Sequence, residues 1–156
     1  MNNLKLIKAA DIYGSPLYVY DSNKIKRQYN RLKNSFKYVK SLQINYAVKA
    51  LSNISILKYI INLGSGIDAV SIQEVVIALK CGITPEKIIY TPNGVSMDEI
   101  KRAAELGVKI NIDNLSVLED FGNKNPSIPI CIRINPHIMA GGNSKISVGH
   151  IDSKFG

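Results

Sequence analysis

Short β-branched runs alternate with helical stretches along most of this chain, and that alternation limits the folds open to it. The runs are QINYAVK (43–49), GIDAVS (66–71), KIIYTPN (87–93), VKINIDN (108–114) and PICIRINP (129–136). Between them lie helical segments at 53–61, 72–81, 96–106 and 115 to about 121, so a βα unit recurs roughly every 20 to 25 residues. Strands joined through helices run parallel, because a hairpin cannot join parallel neighbours. Asn53 and Ser96 stand where N-caps belong, and Ser96 with Glu99 has capping-box spacing. Gly64, Gly82 and Gly107 mark helix ends. Ahead of this series, YVYD (18–21) reads as a strand, and Asp21 or Ser22 can cap a helix to about residue 36.

Two architectures suit such a pattern, an open doubly wound sheet and a TIM barrel. No GxGxxG follows the first βα strand, which weakens a dinucleotide-binding reading. Polar residues at the strand ends favour the barrel. Lys49, Asp68, Asn93, Asp113 and Asn135 each sit at or near a C-terminal strand end, and in a barrel those ends converge on one mouth. A barrel has eight strands and about 250 residues as a rule. These 156 residues offer five such strands and then GGNSKISVGHIDSKFG. The expectation is an α/β chain holding a partial (β/α)8 barrel that stops in mid-domain.

Composition removes several classes. Hydrophobic residues at 46% and charged residues at 21%, spread along the whole length, suit a packed globule and not a disordered chain. No apolar run approaches the roughly 20 residues of a membrane helix, and MNNLKLIKAADIYG lacks a signal peptide's apolar core, so no membrane partner is expected and the cytoplasm is the default location. Cys81 and Cys131 form no CxxC pair and read as reduced, buried thiols. His137 and His150 lack metal-ligand spacing, and no metal is expected. A net charge of +8 raises nucleic acid as a partner, but Lys24, Lys26, Arg27, Arg31, Lys33, Lys37 and Lys40 mostly fit the wet face of one helix. A solvated face is the simpler reading, and no nucleic-acid partner is expected.

Four residues could carry chemistry. Lys49 closes an apolar strand on which alternation sets Asn45, Ala47 and Lys49 on one face. A lysine there is either a Schiff-base amine in a partly dry pocket or a snorkelling side chain, and periodicity alone favours the second. Asp68 in GIDAV and Arg133 in ICIRINP are opposite charges among apolar neighbours, which either pair with each other or serve a ligand. Glu74 opens a helix, where a carboxylate suits the N-terminus whatever else it does. AGGNSK (140–145) reads as a solvent loop and only loosely as an anion-binding one, and His150 alone says little.

Several stretches together resemble one family. YGSPLYVYD (13–21), YAVKA (46–50), GSGIDAVSIQE (64–74), TPNGVS (91–96), INIDNLSVLE (110–119), IRINP (132–136) and GHIDSKFG (149–156) are similar, in order, to the diaminopimelate decarboxylases, a branch of the fold-type III decarboxylases that use pyridoxal 5'-phosphate. Leu51 departs from the asparagine that usually follows YAVKA. The resemblance implies that Lys49 binds the cofactor as a Schiff base, with Asp68 and Arg133 near its ring and Glu74 supporting a histidine stacked on it. It implies an amino-acid substrate, meso-2,6-diaminopimelate, decarboxylated to L-lysine, and a homodimer. Sister enzymes acting on ornithine, arginine or carboxynorspermidine, and a non-catalytic barrel that only binds the cofactor, are the alternatives. The family's fold makes 1–21 a strand segment of a β-domain mostly absent from this sequence and 22–156 an incomplete cofactor-binding barrel. The stacking histidine, glycine-rich phosphate loop and dimer-contributed cysteine segment are absent too, so these 156 residues alone are expected neither to decarboxylate nor to hold the cofactor tightly.

Overall fold

The computed structural model describes residues 3–138, 148, 149, 153 and 155. Its contacts group into two compact units, Met1–Leu42 and Gln43–Gly156. The first holds helices α1 (Asn3–Tyr13) and α2 (Ser22–Ser35). Asp21 caps α2, accepting from the backbone N–H groups of Asn23 and Lys24 at 3.0 and 3.2 Å. These bonds favour the ionised carboxylate, and the one from Lys24 does most to hold it below its usual range. Lys24, Lys26, Arg27, Arg31 and Lys33 are all exposed on α2, as a solvated face requires. Residues 18–21, read as a strand, form none here: 18–20 pair with no strand among the described residues and Asp21 is the cap of α2. Helix α1 has no counterpart in the sequence reading; it buries none of its residues.

The second unit is a parallel sheet of five strands: β1 (Asn45–Ala47), β2 (Gly66–Ala69), β3 (Ile88–Tyr90), β4 (Lys109–Ile112) and β5 (Ile130–Ile132). Their spatial order is their sequence order, and every adjacent pair is parallel. A doubly wound sheet reverses strand order at a switch point and a (β/α)8 barrel does not. The fold is therefore barrel-type, with helices α3 (Ile54–Asn62), α4 (Ile72–Lys80), α5 (Met97–Glu105) and α6 (Leu115–Lys124) as crossovers. The expected caps form: Asn53 accepts from Ser55 and Ile56 N–H, and Ser96 from Glu99 N–H. Gly82 and Gly107, at φ of 92° and 74°, take the left-handed position that ends α4 and α5.

The core lies between the sheet and its helices. Ile67, Ala69, Ile88, Tyr90, Ile110 and Ile112 form the sheet side of it; Leu57, Val75, Ala78, Ile100, Ala103 and Phe121 form the helix side. Strict alternation leaves Asp68, Ile89 and Asn111 between these residues, half-buried on the opposite face. The cysteines differ from expectation. Cys81 is half-buried just past the end of α4, and Cys131 is exposed because β5 is the last strand of the sheet and has only β4 beside it among the described residues.

Tyr90 is fully buried, and its hydroxyl has no hydrogen-bond partner among the described residues. An unpaired buried hydroxyl costs desolvation without return. Tyr90→Phe is thus expected to leave stability unchanged or raise it by up to about 1 kcal/mol in urea denaturation. Burial, and then the charge of Glu99, push this phenol up to about 12 from 10.0. The folded state keeps its proton longer than the unfolded state does. The resulting stability is fully present below pH about 10 and drains away as pH rises toward about 12, a loss the phenylalanine variant should not share.

Candidate active site

Because all five strands run the same way, their C-terminal ends share one edge, and the inner-face side chains near that edge surround a cavity of about 820 Å³. That volume suits a cofactor-sized ligand. Asn45, Lys49, Asp68, Thr91, Asn93, Asn111 and Arg133 supply its polar lining, and residues including Val70, Ile89 and Ile132 supply apolar wall. The structure thus brings Lys49, Asp68 and Arg133 to one place and leaves Glu74 out of it.

Lys49 arrives by a route the alternation did not predict. Strand β1 ends at Ala47, paired with Asp68, and residues Val48–Ala50 form a 3-10 turn. Val48 is fully buried and anchors that turn in the core. Leu51 N–H closes it on the carbonyl of Val48 at 3.0 Å, and the Tyr46 hydroxyl donates to the carbonyl of Leu51 at 3.2 Å. Lys49 itself is exposed at the cavity. Its backbone is held from both sides while its amine stays accessible.

Asp68 and Arg133 do not pair with each other. Asp68 Oδ1 accepts from the Thr91 hydroxyl at 3.1 Å, and Thr91 Oγ1 accepts from Asn111 Nδ2 at 2.9 Å. The Arg133 guanidinium lies over the Phe155 ring, 3.8 Å from its centroid, a cation–π contact. Asn93, also lining the cavity, donates from Nδ2 to Asp113 Oδ2 at 3.0 Å, so two of the strand-end polar residues bond to each other. Asn135 lies farther on, accepting from His137 N–H at 3.0 Å. His150 and residues 140–145 lie outside the described residues. Among the described residues no cluster of His, Cys, Asp or Glu could hold a metal ion. Thr91, Asn111 and Phe155 were not singled out in the sequence. The available signal was their type: Thr91 and Asn111 are polar at inner-face positions of otherwise apolar strands.

Glu74 has a local job. Its Oε2 accepts from Val70 N–H at 2.8 Å, while its own N–H donates to Ser71 Oγ at 3.2 Å. The two bonds close the β2–α4 turn reciprocally, much as a capping box does. Glu74→Ala is expected to lose about 1–2 kcal/mol in urea denaturation, and Glu74→Gln, which keeps an acceptor, to recover most of it. Equal losses in both variants would show that charge, and not the hydrogen bond, matters.

Comparison with known proteins adds three findings. Residues 22–156 match the family model described as pyridoxal-dependent decarboxylase, pyridoxal binding domain. The chain is 40% identical over 152 residues to the diaminopimelate decarboxylase of Methanothermobacter thermautotrophicus and 44% identical over 149 residues to that of Helicobacter pylori. These alignments cover 96% and 92% of this chain but 36% of each relative's length. Among solved structures it superposes on the Helicobacter pylori diaminopimelate decarboxylase complexed with L-lysine with a TM-score of 0.85 at 39% identity, over 99% of this chain and 40% of that one. The diaminopimelate decarboxylase from m. jannaschii, in co-complex with L-lysine, gives 0.83 at 31% identity, over 97% of this chain and 37% of that one.

Proposed function

The chain belongs to the pyridoxal-dependent decarboxylase family through the pyridoxal-binding domain, and from that membership we propose that it holds the cofactor-binding part of an enzyme that decarboxylates meso-2,6-diaminopimelate to L-lysine. The observation that carries the proposal is the meeting of Lys49, Asp68 and Arg133 in one cavity at the C-terminal strand ends. The donor set fits pyridoxal phosphate: an accessible primary amine for an aldehyde, a guanidinium for an anionic group, a carboxylate for a cationic or donor group, and apolar wall for a ring. When bound, the cofactor supplies an electron sink for the carbanion left as carbon dioxide departs.

The chain's own residues set the conditions for that chemistry. Lys49 Nζ would hold the cofactor covalently and, when not so bonded, would be available in the cavity to carry a proton. Arg133, stacked on Phe155, keeps a fixed positive charge in the cavity. Asp68 presents a carboxylate oriented by Thr91. Val70, Ile89 and Ile132 would give the cofactor ring an apolar wall on one side. The substrate is supported by the 40% and 44% identities to diaminopimelate decarboxylases. We also propose a homodimer, which the family resemblance supports, and a cytoplasmic location, with which the absence of any helix long and apolar enough to cross a membrane among the described residues is consistent.

The test is carbon dioxide release by the complete, cofactor-loaded protein. The expected preference for meso-diaminopimelate over ornithine, arginine and carboxynorspermidine is about 10²-fold or more in kcat/KM. Comparable turnover of ornithine would move the protein to a sister activity. Bound cofactor with no turnover of any of the four would make it a binding protein.

A further inference from the structure

The polar contacts on the cavity floor form one directed chain across three strands. Thr91 follows the last residue of β3, and its backbone N–H donates to the carbonyl of Ala69 on β2 at 2.8 Å, so its position is fixed by the neighbouring strand. Its side chain has one proton to give. An ionised carboxylate can only accept, so that proton goes to Asp68 Oδ1 at 3.1 Å. The Thr91 oxygen is then left to accept, and it does so from Asn111 Nδ2 at 2.9 Å. This ordering also fixes the Asn111 amide: its nitrogen faces Thr91 and its oxygen faces away. Among the described residues Asp68 Oδ2 and Asn111 Oδ1 take part in no hydrogen bond. Both residues line the cavity, so each end of the chain offers a free acceptor to whatever enters.

Three half-buried polar side chains on adjacent strands could have been apolar, as their helix-facing neighbours Ile67, Tyr90 and Ile110 mostly are. We propose that Thr91 and Asn111 are positioning residues for Asp68: the Asn111–Thr91–Asp68 ladder holds the carboxylate in one orientation, with one oxygen spent and the other presented to the bound cofactor. The proposal rests on the pyridoxal-phosphate reading above. Thr91→Val has nearly the same shape but breaks both links at once, leaving Asp68 free to turn. Thr91→Ser keeps the hydroxyl and both links. If the ladder acts through Asp68, its loss is invisible once the carboxylate is gone.

The experiment uses the complete cofactor-loaded protein and reads two quantities: the pH midpoint of the bound cofactor's visible absorbance band and kcat. Thr91→Val is expected to move the midpoint by about half a pH unit or more and to lower kcat roughly fivefold. Asn111→Leu should do the same more weakly, and Thr91→Ser should restore both quantities. In an Asp68→Asn background, Thr91→Val should change kcat by less than about twofold, the non-additivity expected of residues acting as one unit. Equal effects of Thr91→Val in the wild-type and Asp68→Asn backgrounds would overturn the ladder, as would a silent Thr91→Val in a protein whose cofactor band is intact. A wild-type protein with no cofactor band would instead overturn the pyridoxal-phosphate reading and take this proposal with it.

Discussion

Lys49→Ala in the complete protein is expected to lower kcat/KM by at least roughly 10³-fold, about 4 kcal/mol of transition-state stabilisation, while leaving thermal unfolding almost unchanged. The separation of the two effects follows from where the residue sits. Its side chain is exposed, and no hydrogen bond or ion pair of it occurs among the described residues, so removing it should cost the fold less than about 0.5 kcal/mol. The turn beneath it is held by Val48 and by the Tyr46–Leu51 bond, neither of which needs the amine. Lys49→Arg separates charge from nucleophilicity. A guanidinium keeps the positive charge but stays protonated and cannot attack an aldehyde, so this variant should fail as badly as alanine. Activity within tenfold of wild type in Lys49→Arg would mean that the residue only steers anions. Borohydride reduction of the cofactor-loaded protein, followed by peptide mass analysis, should place the label on Lys49, and a label on another lysine would refute the assignment.

The fold was legible where one residue type has one local use. Asn53 and Ser96 were readable as caps because a side-chain acceptor before an apolar run has a ready role, and each accepts the expected N–H groups; for α2 the sequence left Asp21 and Ser22 open, and Asp21 takes the role. Asp68 was visible as a charge among apolar neighbours, and the strand's alternation sets it opposite the core; Asn111 sits the same way on β4 but was not singled out. Strand ends were harder. By pattern GIDAVS is strand through Ser71 and VKINIDN through Asn114, whereas both residues are N-caps, of α4 and α6. A polar residue after a strand satisfies either role until the helix start is known. Lys49 shows the same limit: β1 stops at Ala47 because pairing with β2 stops there, a fact about the partner strand. The ladder was out of reach, since Asp68, Thr91 and Asn111 lie 23 and 20 residues apart and only the register aligns them. Arg133 was visible as a charge in an apolar run, but its contact with Phe155 depends on a return of the chain that no periodicity encodes.

Gly66→Val should cost about 3 kcal/mol of stability and, with it, much of the cofactor affinity. Gly66 opens β2, is buried, and does not need its glycine for a left-handed backbone. It needs the missing Cβ. A Cβ built there would clash with Asn45 Oδ1 and meet Gln43 Nε2 at 2.5 Å and the backbone carbonyl oxygen of Lys87 at 2.8 Å. Asn45 and Gln43 are joined by a 2.8 Å hydrogen bond and fold over the glycine, and Gly66 N–H donates to the carbonyl of Ile44 at 2.8 Å. The side chains can swing aside, but the Lys87 carbonyl just before β3 cannot move without disturbing that strand. The strain therefore falls on the spacing of β1, β2 and β3 at their N-terminal ends. Two residues further along, Ala47 pairs with Asp68, and two beyond that stands Lys49. A wedge at Gly66 should thus tilt the amine-bearing turn away from the Asp68 carboxylate, lowering kcat as well as the urea midpoint. Gly66→Ala should lie between, at about 1–2 kcal/mol. Adding Asn45→Ala to Gly66→Ala discriminates the sources of strain: recovery of most of the loss assigns it to the folded-over side chains, and no recovery assigns it to the Lys87 carbonyl. A Gly66→Val protein with wild-type urea midpoint and cofactor affinity would show that the three strands approach less closely here, and that the placement of Lys49 does not depend on their spacing.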